Sequence, residues 1–189
     1  MKDKRTAPNK SLKQDWQTPQ HLIDLVHWVF PDGFLDPCTT KHNPTGAETI
    51  LTTDGLSVPW VGRGAYVNPP FNEAQAWCKK VGQEARIGLP ILLLLSASNR
   101  AGCKYFQCHI FGRHQKGCEC LYSKLALFDD SSLDAMLHIS KRLHFINPLS
   151  GEAEKGNTRG SILYGFNMSL SRFYRVFGEL GTVFPGPLR

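Results

Sequence analysis

Asn68-Pro69-Pro70-Phe71 is the segment whose residue types and order point most directly to chemistry. A side-chain amide followed by a backbone carbonyl offers two acceptors in a row, and the prolines stiffen the turn that aims them. Two such acceptors suit the two hydrogens of a planar exocyclic amine such as adenine N6. That amine is a poor nucleophile because its lone pair is delocalised into the ring, so holding both hydrogens aims the lone pair at an electrophilic donor. Phe71 adds an aromatic face on which a base withdrawn from a duplex can stack. The same residues also read as a proline-rich turn in which Asn68 bonds its own backbone. Their place directly after the apolar run Ala65 to Val67 and before a helical pattern favours the chemical reading.

A second group that could do chemistry is Cys103, Cys108, His109, His114, Cys118 and Cys120. Thiolates and imidazoles are zinc ligands, but the spacing contains neither a Cys-x-x-Cys nor a His-x-x-x-His pair. Ordinary thiols are therefore expected and no metal, with structural zinc as the alternative. The stretch 99–120 also carries Arg100, Lys104, Arg113 and Lys116 without a clear period, so it reads as an insertion between sheet elements. It would either contact a nucleic-acid backbone or lie as a solvated basic loop.

The elements that must position Asn68 alternate in type. Thr18-Pro19 reads as a helix start, with a capping hydroxyl and a proline at the first helical position. Leu22, Ile23, Val26, Val29 and Phe30 follow on one face, up to Pro31-Asp32-Gly33. Short apolar runs at Phe34-Leu35, Thr49 to Thr52 and Ala65 to Val67 read as strands. Asn72 is placed to cap a second helix, with Gln75 at the capping-box position, Ala76, Trp77, Val81 and Ala85 behind it, and Gly88 as its stop. Pro90 to Leu95 is continuously apolar, as in a strand covered on both faces. Further strands are expected at Leu143 to Ile146, Ser161 to Phe166 and Thr182 to Phe184, with a helix around Arg172 to Phe177. Trp28 and Trp77 are expected in the core, whereas Trp16 either borders a pocket or packs.

This order predicts an α/β fold, in which ligands lie beyond the carboxyl ends of the strands. Residues just after Leu35, Val67 and Leu95 are then the place for a site. With 189 residues, 41% of them hydrophobic, one domain can bury its own core. Residues 1–14 hold Lys2, Lys4, Arg5, Lys10 and Lys13 without periodicity and read as a flexible basic arm before a domain over 15–189. The net charge of +6 suits a polyanionic partner. No signal peptide or membrane-spanning run is visible, so a cytoplasmic protein with its six cysteines reduced is expected.

Asn68 to Phe71 resembles the catalytic motif of amino-methyltransferases, and the chain around it is similar to the phage-type Dam family of DNA N6-adenine methyltransferases. The stretches that carry the likeness are Asp15 to Pro19, Phe34 to Cys38, Asp54-Gly55-Leu56 with Trp60, Tyr66 to Phe71, Arg142 to Pro148, and Gly160-Ser161 entering a strand. They occur in the family's order and cover most of residues 15–185. The resemblance implies a Rossmann-like methyltransferase domain with a seven-stranded, mostly parallel sheet and helices on both faces. It implies S-adenosylmethionine as cofactor and double-stranded DNA as partner, with a phage or prophage origin in a bacterial host. Asn68, Pro69, Pro70 and Phe71 would be catalytic. Trp16, Thr18, Pro19, Asp36, Pro37 and Cys38 would line the cofactor pocket, and Asp54 would accept hydrogen bonds from its ribose or adenine. For Asp36 and Asp54 the alternative is loop capping.

The chain departs from many methyltransferases after its first strand, where Asp36 to Pro44 contains no glycine before Gly46. Two other readings of the motifs stay open, a methyltransferase of RNA or of a protein amide, and a DNA-binding module whose catalysis has lapsed. No motif specifies an oligomeric state.

Overall fold

The computed structural model describes residues 16–97, 133–153 and 159–186. Helix α1 (Gln20–Val29) buries Leu22, Ile23, Val26 and Val29, a stripe at helical spacing. Strands β1 (Leu35–Asp36), β2 (Thr49–Ile50) and β3 (Ala65–Val67) follow, then helix α2 (Ala74–Arg86) and strand β4 (Ile91–Ser96). Strand β5 (Leu133–Ile139), strand β6 (Ser161–Phe166), helix α3 (Leu170–Phe177) and strand β7 (Gly181–Pro185) complete the described elements. No helix among the described residues is long and apolar enough to cross a membrane.

Among the described residues the strands form one seven-stranded sheet in the order β2-β1-β3-β4-β6-β5-β7. Alternate side chains of each strand feed two apolar layers. Tyr66, Leu92 and Leu94 pack with α1 and α3. Ala65, Val67, Ile91 and Leu93 pack with α2. Helices thus cover both faces, as expected, and the unbroken run Ile91 to Leu95 is buried because each face has its own cover.

The sheet is mixed rather than mostly parallel. β2, β1, β3 and β4 run parallel, whereas β4-β6, β6-β5 and β5-β7 are antiparallel. A parallel neighbour needs a crossover, usually a helix. Among the described residues between β5 and β6, 140–153 and 159–160, no helix forms, and β6 returns beside β5 in the opposite sense.

Local details also differ from expectation. Leu143 to Ile146 is not a strand: only Ile146 pairs, through isolated bridges to Gln17 and Ala153, while Leu143 and Phe145 act as buried anchors. β5 is not among the expected strands, although its apolar Leu133, Ala135, Leu137 and Ile139 alternate with Asp134, Met136 and His138, which face away from the deepest core. Trp28 is 74% exposed, because it lies two residues from Val26 and so on the other side of α1. Pro19 occupies the N-cap of α1, and the Thr18 hydroxyl does not cap it. Asn72 caps nothing, since Phe71–Glu73 forms a 3-10 turn and Glu73 stands at the N-cap of α2. The arm 1–14 and the Cys/His stretch 99–120 lie outside the described residues.

Candidate active site

β1 and β3 are neighbours, with β2 beyond β1 and β4 beyond β3. The chain therefore leaves β1 in one direction and resumes on its other side, which opens a crevice between the carboxyl ends of β1 and β3. Trp16, Gln17, Thr18, Asp36, Cys38, Thr39, Thr40, Pro44, Thr45, Asn68 and Pro70 line a cleft there of about 460 Å³, counting its open mouth.

Asp36 ends β1 and organises the loop that forms one wall. Its Oδ1 accepts from the Cys38 amide at 3.2 Å and its Oδ2 from the Thr45 hydroxyl at 2.8 Å. Asn43 holds the loop's far end with a left-handed backbone (φ 45°), donating to the Ala47 carbonyl and accepting from the Ala47 amide. Side-chain bonds thus do here what a Gly-rich turn does elsewhere. Asp36 is only 4% exposed, and burial pushes its carboxyl up to about 6, against the opposing pull of the Thr45 and Cys38 hydrogen bonds. Burial, reinforced by the Asp36 charge, pushes the Cys38 thiol well above its ordinary range, which disfavours the thiolate.

Asn68 leaves β3 with its amide already oriented. Nδ2 donates to the Trp16 carbonyl at 3.2 Å and to Thr18 Oγ1 at 3.1 Å. Thr18 Oγ1 is also 2.7 Å from the Tyr66 hydroxyl, which burial holds protonated well above its usual range. Both amide hydrogens are thereby engaged. Among the described residues nothing is hydrogen-bonded to Oδ1, the atom assigned to a target amine. Pro69 is buried and Pro70 lines the cleft. Phe71 is half-buried, its ring edge-on to Phe145 at 6.4 Å.

The remaining expected residues stand in supporting or outlying positions. Pro19 and Pro37 are buried, next in sequence to the lining residues Thr18, Asp36 and Cys38. Asp54 is exposed and lies outside the lining; its backbone carbonyl closes the turn to Ser57 and Val58. Its neighbour Gly55 has a steric role, because a Cβ there would fall 1.9 Å from the Pro37 carbonyl oxygen. Trp60 pins that close approach by donating from Nε1 to the Gly55 carbonyl at 2.7 Å. The Asp-Gly-Leu…Trp pattern therefore seats the loop after β2 against the turn after β1.

Sequence reasoning singles out none of Tyr66, Thr39, Thr40 and Thr45 as a site residue. Thr40 Oγ1 is buried without a hydrogen-bond partner among the described residues. Thr39 Oγ1, close to the Asp36 carboxyl, likewise meets no hydrogen-bond geometry. Runs of threonine after a strand are the one signal that could have flagged them. Among the described residues no group of three or more His, Cys, Asp or Glu side chains is placed to hold a metal ion.

The fold is α/β, with an open cleft at a topological switch point that Asn68 and Pro70 of the Asn-Pro-Pro-Phe turn help to line. The sequence model of the family described as DNA N-6-adenine-methyltransferase (Dam) matches residues 5–175, and the chain belongs to that family. It is similar to a DNA N-6-adenine-methyltransferase of Escherichia phage T1, at 23% identity over 163 residues. That match covers 85% of this chain and 66% of the relative, so the chain spans a little under two thirds of the relative's length. No solved structure matches the chain significantly.

Proposed function

We propose that this chain transfers the methyl group of S-adenosylmethionine to the N6 amine of adenine in double-stranded DNA, acting on a base swung out of the helix. The observation that carries this reading is the anchored amide of Asn68, whose two hydrogens are held by Trp16 and Thr18 while Oδ1 is left for the target. Family membership supports the substrate class. The parallel half β2-β1-β3-β4, with its crevice between β1 and β3, supports a Rossmann-like ancestry of the site.

The chemistry of the cleft lining supports this choice of cofactor. An acidic group at its base, two hydroxyls lacking partners and an apolar rim suit a ligand that is cationic at one end and rich in hydroxyls at the other. Trp16, Thr18, Asp36, Cys38 and the Thr39-Thr40 pair would hold it, with Pro19 and Pro37 shaping the backbone beneath. Asp54, past the carboxyl end of β2, would accept hydrogen bonds from its adenosine portion. When bound, the cofactor supplies an electrophilic methyl on a good leaving group. Asn68 Oδ1 and the Pro69 carbonyl then accept the two amine hydrogens and aim the lone pair, and Phe71 covers the base face. The amine proton is lost afterwards to solvent. A soluble protein acting in the cytoplasm of a phage-infected bacterium is consistent with this role.

Transfer of tritiated methyl to unmethylated duplex DNA, followed by nucleoside analysis, tests the reading. Label in N6-methyladenine is the expected result. Label in RNA or protein but not DNA would overturn the substrate assignment, and DNA binding without cofactor binding would identify a module that has lost catalysis.

A further inference from the structure

β5 points the same way as β3 and β4, since both β4 and β5 run antiparallel to β6. The residues that follow β5 therefore emerge on the same sheet edge as the cleft. There Lys141 and Arg142 are exposed, while Leu143 and Phe145 turn inward as buried anchors. This strap is tied across the site at two points. Ile146 exchanges both backbone hydrogen bonds with Gln17 of the cleft, at 2.9 and 3.0 Å, and Phe145 meets Phe71 ring to ring. Residues 135–151 contain no carboxylate, and neither Lys141 nor Arg142 forms an ion pair among the described residues. On the far side of Asn68 in the sheet order, the loop after β1 presents Lys41, also exposed, between the cleft residues Thr40 and Pro44.

We infer that Lys141 and Arg142, on the strap after β5, grip DNA phosphates on one side of the extruded nucleotide, with Lys41 as their counterpart across the cleft. This rests on the DNA-directed reading above. The physical case is the combination of unneutralised charge with a rigid mount. Cations on a strap pinned to the cofactor cleft and to the catalytic turn fix the distance between a gripped phosphate and Asn68, which free surface lysines do not. Phosphate interactions of this kind set register and carry no sequence information.

The test is duplex binding by fluorescence anisotropy across a salt series, for the parent chain and for Lys141→Ala, Arg142→Ala, their double variant and Lys41→Ala. Arg63→Ala serves as a control, since Arg63 sits before β3 on the opposite edge and pairs with Asp32. Removing one phosphate-gripping cation lowers the slope of log K against log salt by about 0.9, so the double variant should fall by about 2 in slope and bind roughly ten- to thirty-fold more weakly near physiological salt. Calorimetric binding of S-adenosylmethionine should be unchanged. Unchanged DNA affinity in the Lys141 and Arg142 variants beside a DNA-binding parent overturns the phosphate grip alone, as does an equal weakening in Arg63→Ala. A parent chain that binds no duplex overturns the functional reading and the grip together.

Discussion

Asn68 Nδ2 donates to Thr18 Oγ1 at 3.1 Å although the two residues stand 50 positions apart. The bond decides which end of the Asn68 amide faces the cleft. Replacing Asn68 with alanine should drop methyl transfer below about a hundredth of the parent rate, because the target amine loses its orientation. Cofactor affinity by calorimetry should stay within a few-fold. Near-normal turnover in Asn68→Ala would remove this residue from the reaction.

Tyr66 acts one step further back, through Thr18. Tyr66→Phe deletes a hydroxyl with a 2.7 Å partner in a fully buried site, and should cost about 1 kcal/mol of stability. Turnover should fall several-fold with little change in the KM for cofactor, since the Asn68 amide loses part of its anchor. Loss of stability with turnover unchanged would confine Tyr66 to packing.

Asp36 ties stability to pH. Its carboxyl is raised from 3.8 to about 6 in the fold, so the ionised form is disfavoured by roughly 3 kcal/mol relative to the unfolded chain. The stability contributed by its protonated form is complete below 3.8 and lost as pH rises through 6. Asp36→Asn should therefore raise the Tm at pH 8, with the gain shrinking between pH 6 and 4. The amide can keep the loop closed, because the Thr45 hydroxyl can turn to donate to Asn43 Oδ1, 3.4 Å away. The same variant should bind S-adenosylmethionine at least ten-fold more weakly, having lost the negative charge. A Tm gain that does not vary with pH, or an unchanged affinity, would each contradict this account.

Phe71 is half-buried and touches Phe145 edge-on. Base stacking on an aromatic ring is worth about 1–3 kcal/mol, so Phe71→Ala should lower transfer efficiency by roughly ten- to a hundred-fold. Phe71→Tyr or Trp should retain much of it. A fully buried phenylalanine would instead lose about 3–5 kcal/mol of fold stability on truncation. A large fall in Tm for Phe71→Ala would sink the stacking role.

Gly55 is a steric test of the cleft wall. Gly55→Ala drives a Cβ into the Pro37 carbonyl, so the loops after β1 and β2 must part. The Tm should fall by several degrees and cofactor affinity with it. Parent-like values for both would show that the two loops do not depend on each other.

What can be read without coordinates is local. The stripe on α1, the apolar run of β4 and the strand-to-turn position of Asn68 are all short-range patterns, and the structure bears them out. Asp36 lines the cleft and also caps its loop, so capping does not exclude a role toward a ligand. The direction of β6 and β7 is not legible, because it depends on whether a connection supplies a crossover and not on any pattern within the strands. Thr18 departs from its expected capping role for a related reason. Its hydroxyl faces two possible partners, the start of α1 and a side chain from β3, and a local capping rule sees only the first. Trp28 shows the limit of counting aromatics, since one position of helical phase sends an indole outward.

The pairing of Gln17 with Ile146 joins the beginning of the described chain to a segment well over a hundred positions later. A ligand seated in the cleft would touch Gln17 and, through its backbone pairing, steady Ile146, a reversible cross-link between two parts of the chain that only the finished fold brings together. The cleft cannot exist in a half-folded molecule, and occupancy should suppress the local opening that would release residues 16–19. Protection grows with ligand as RT ln(1 + [L]/Kd), so amide exchange at Gln17 and Ile146 becomes a gauge of how full the site is.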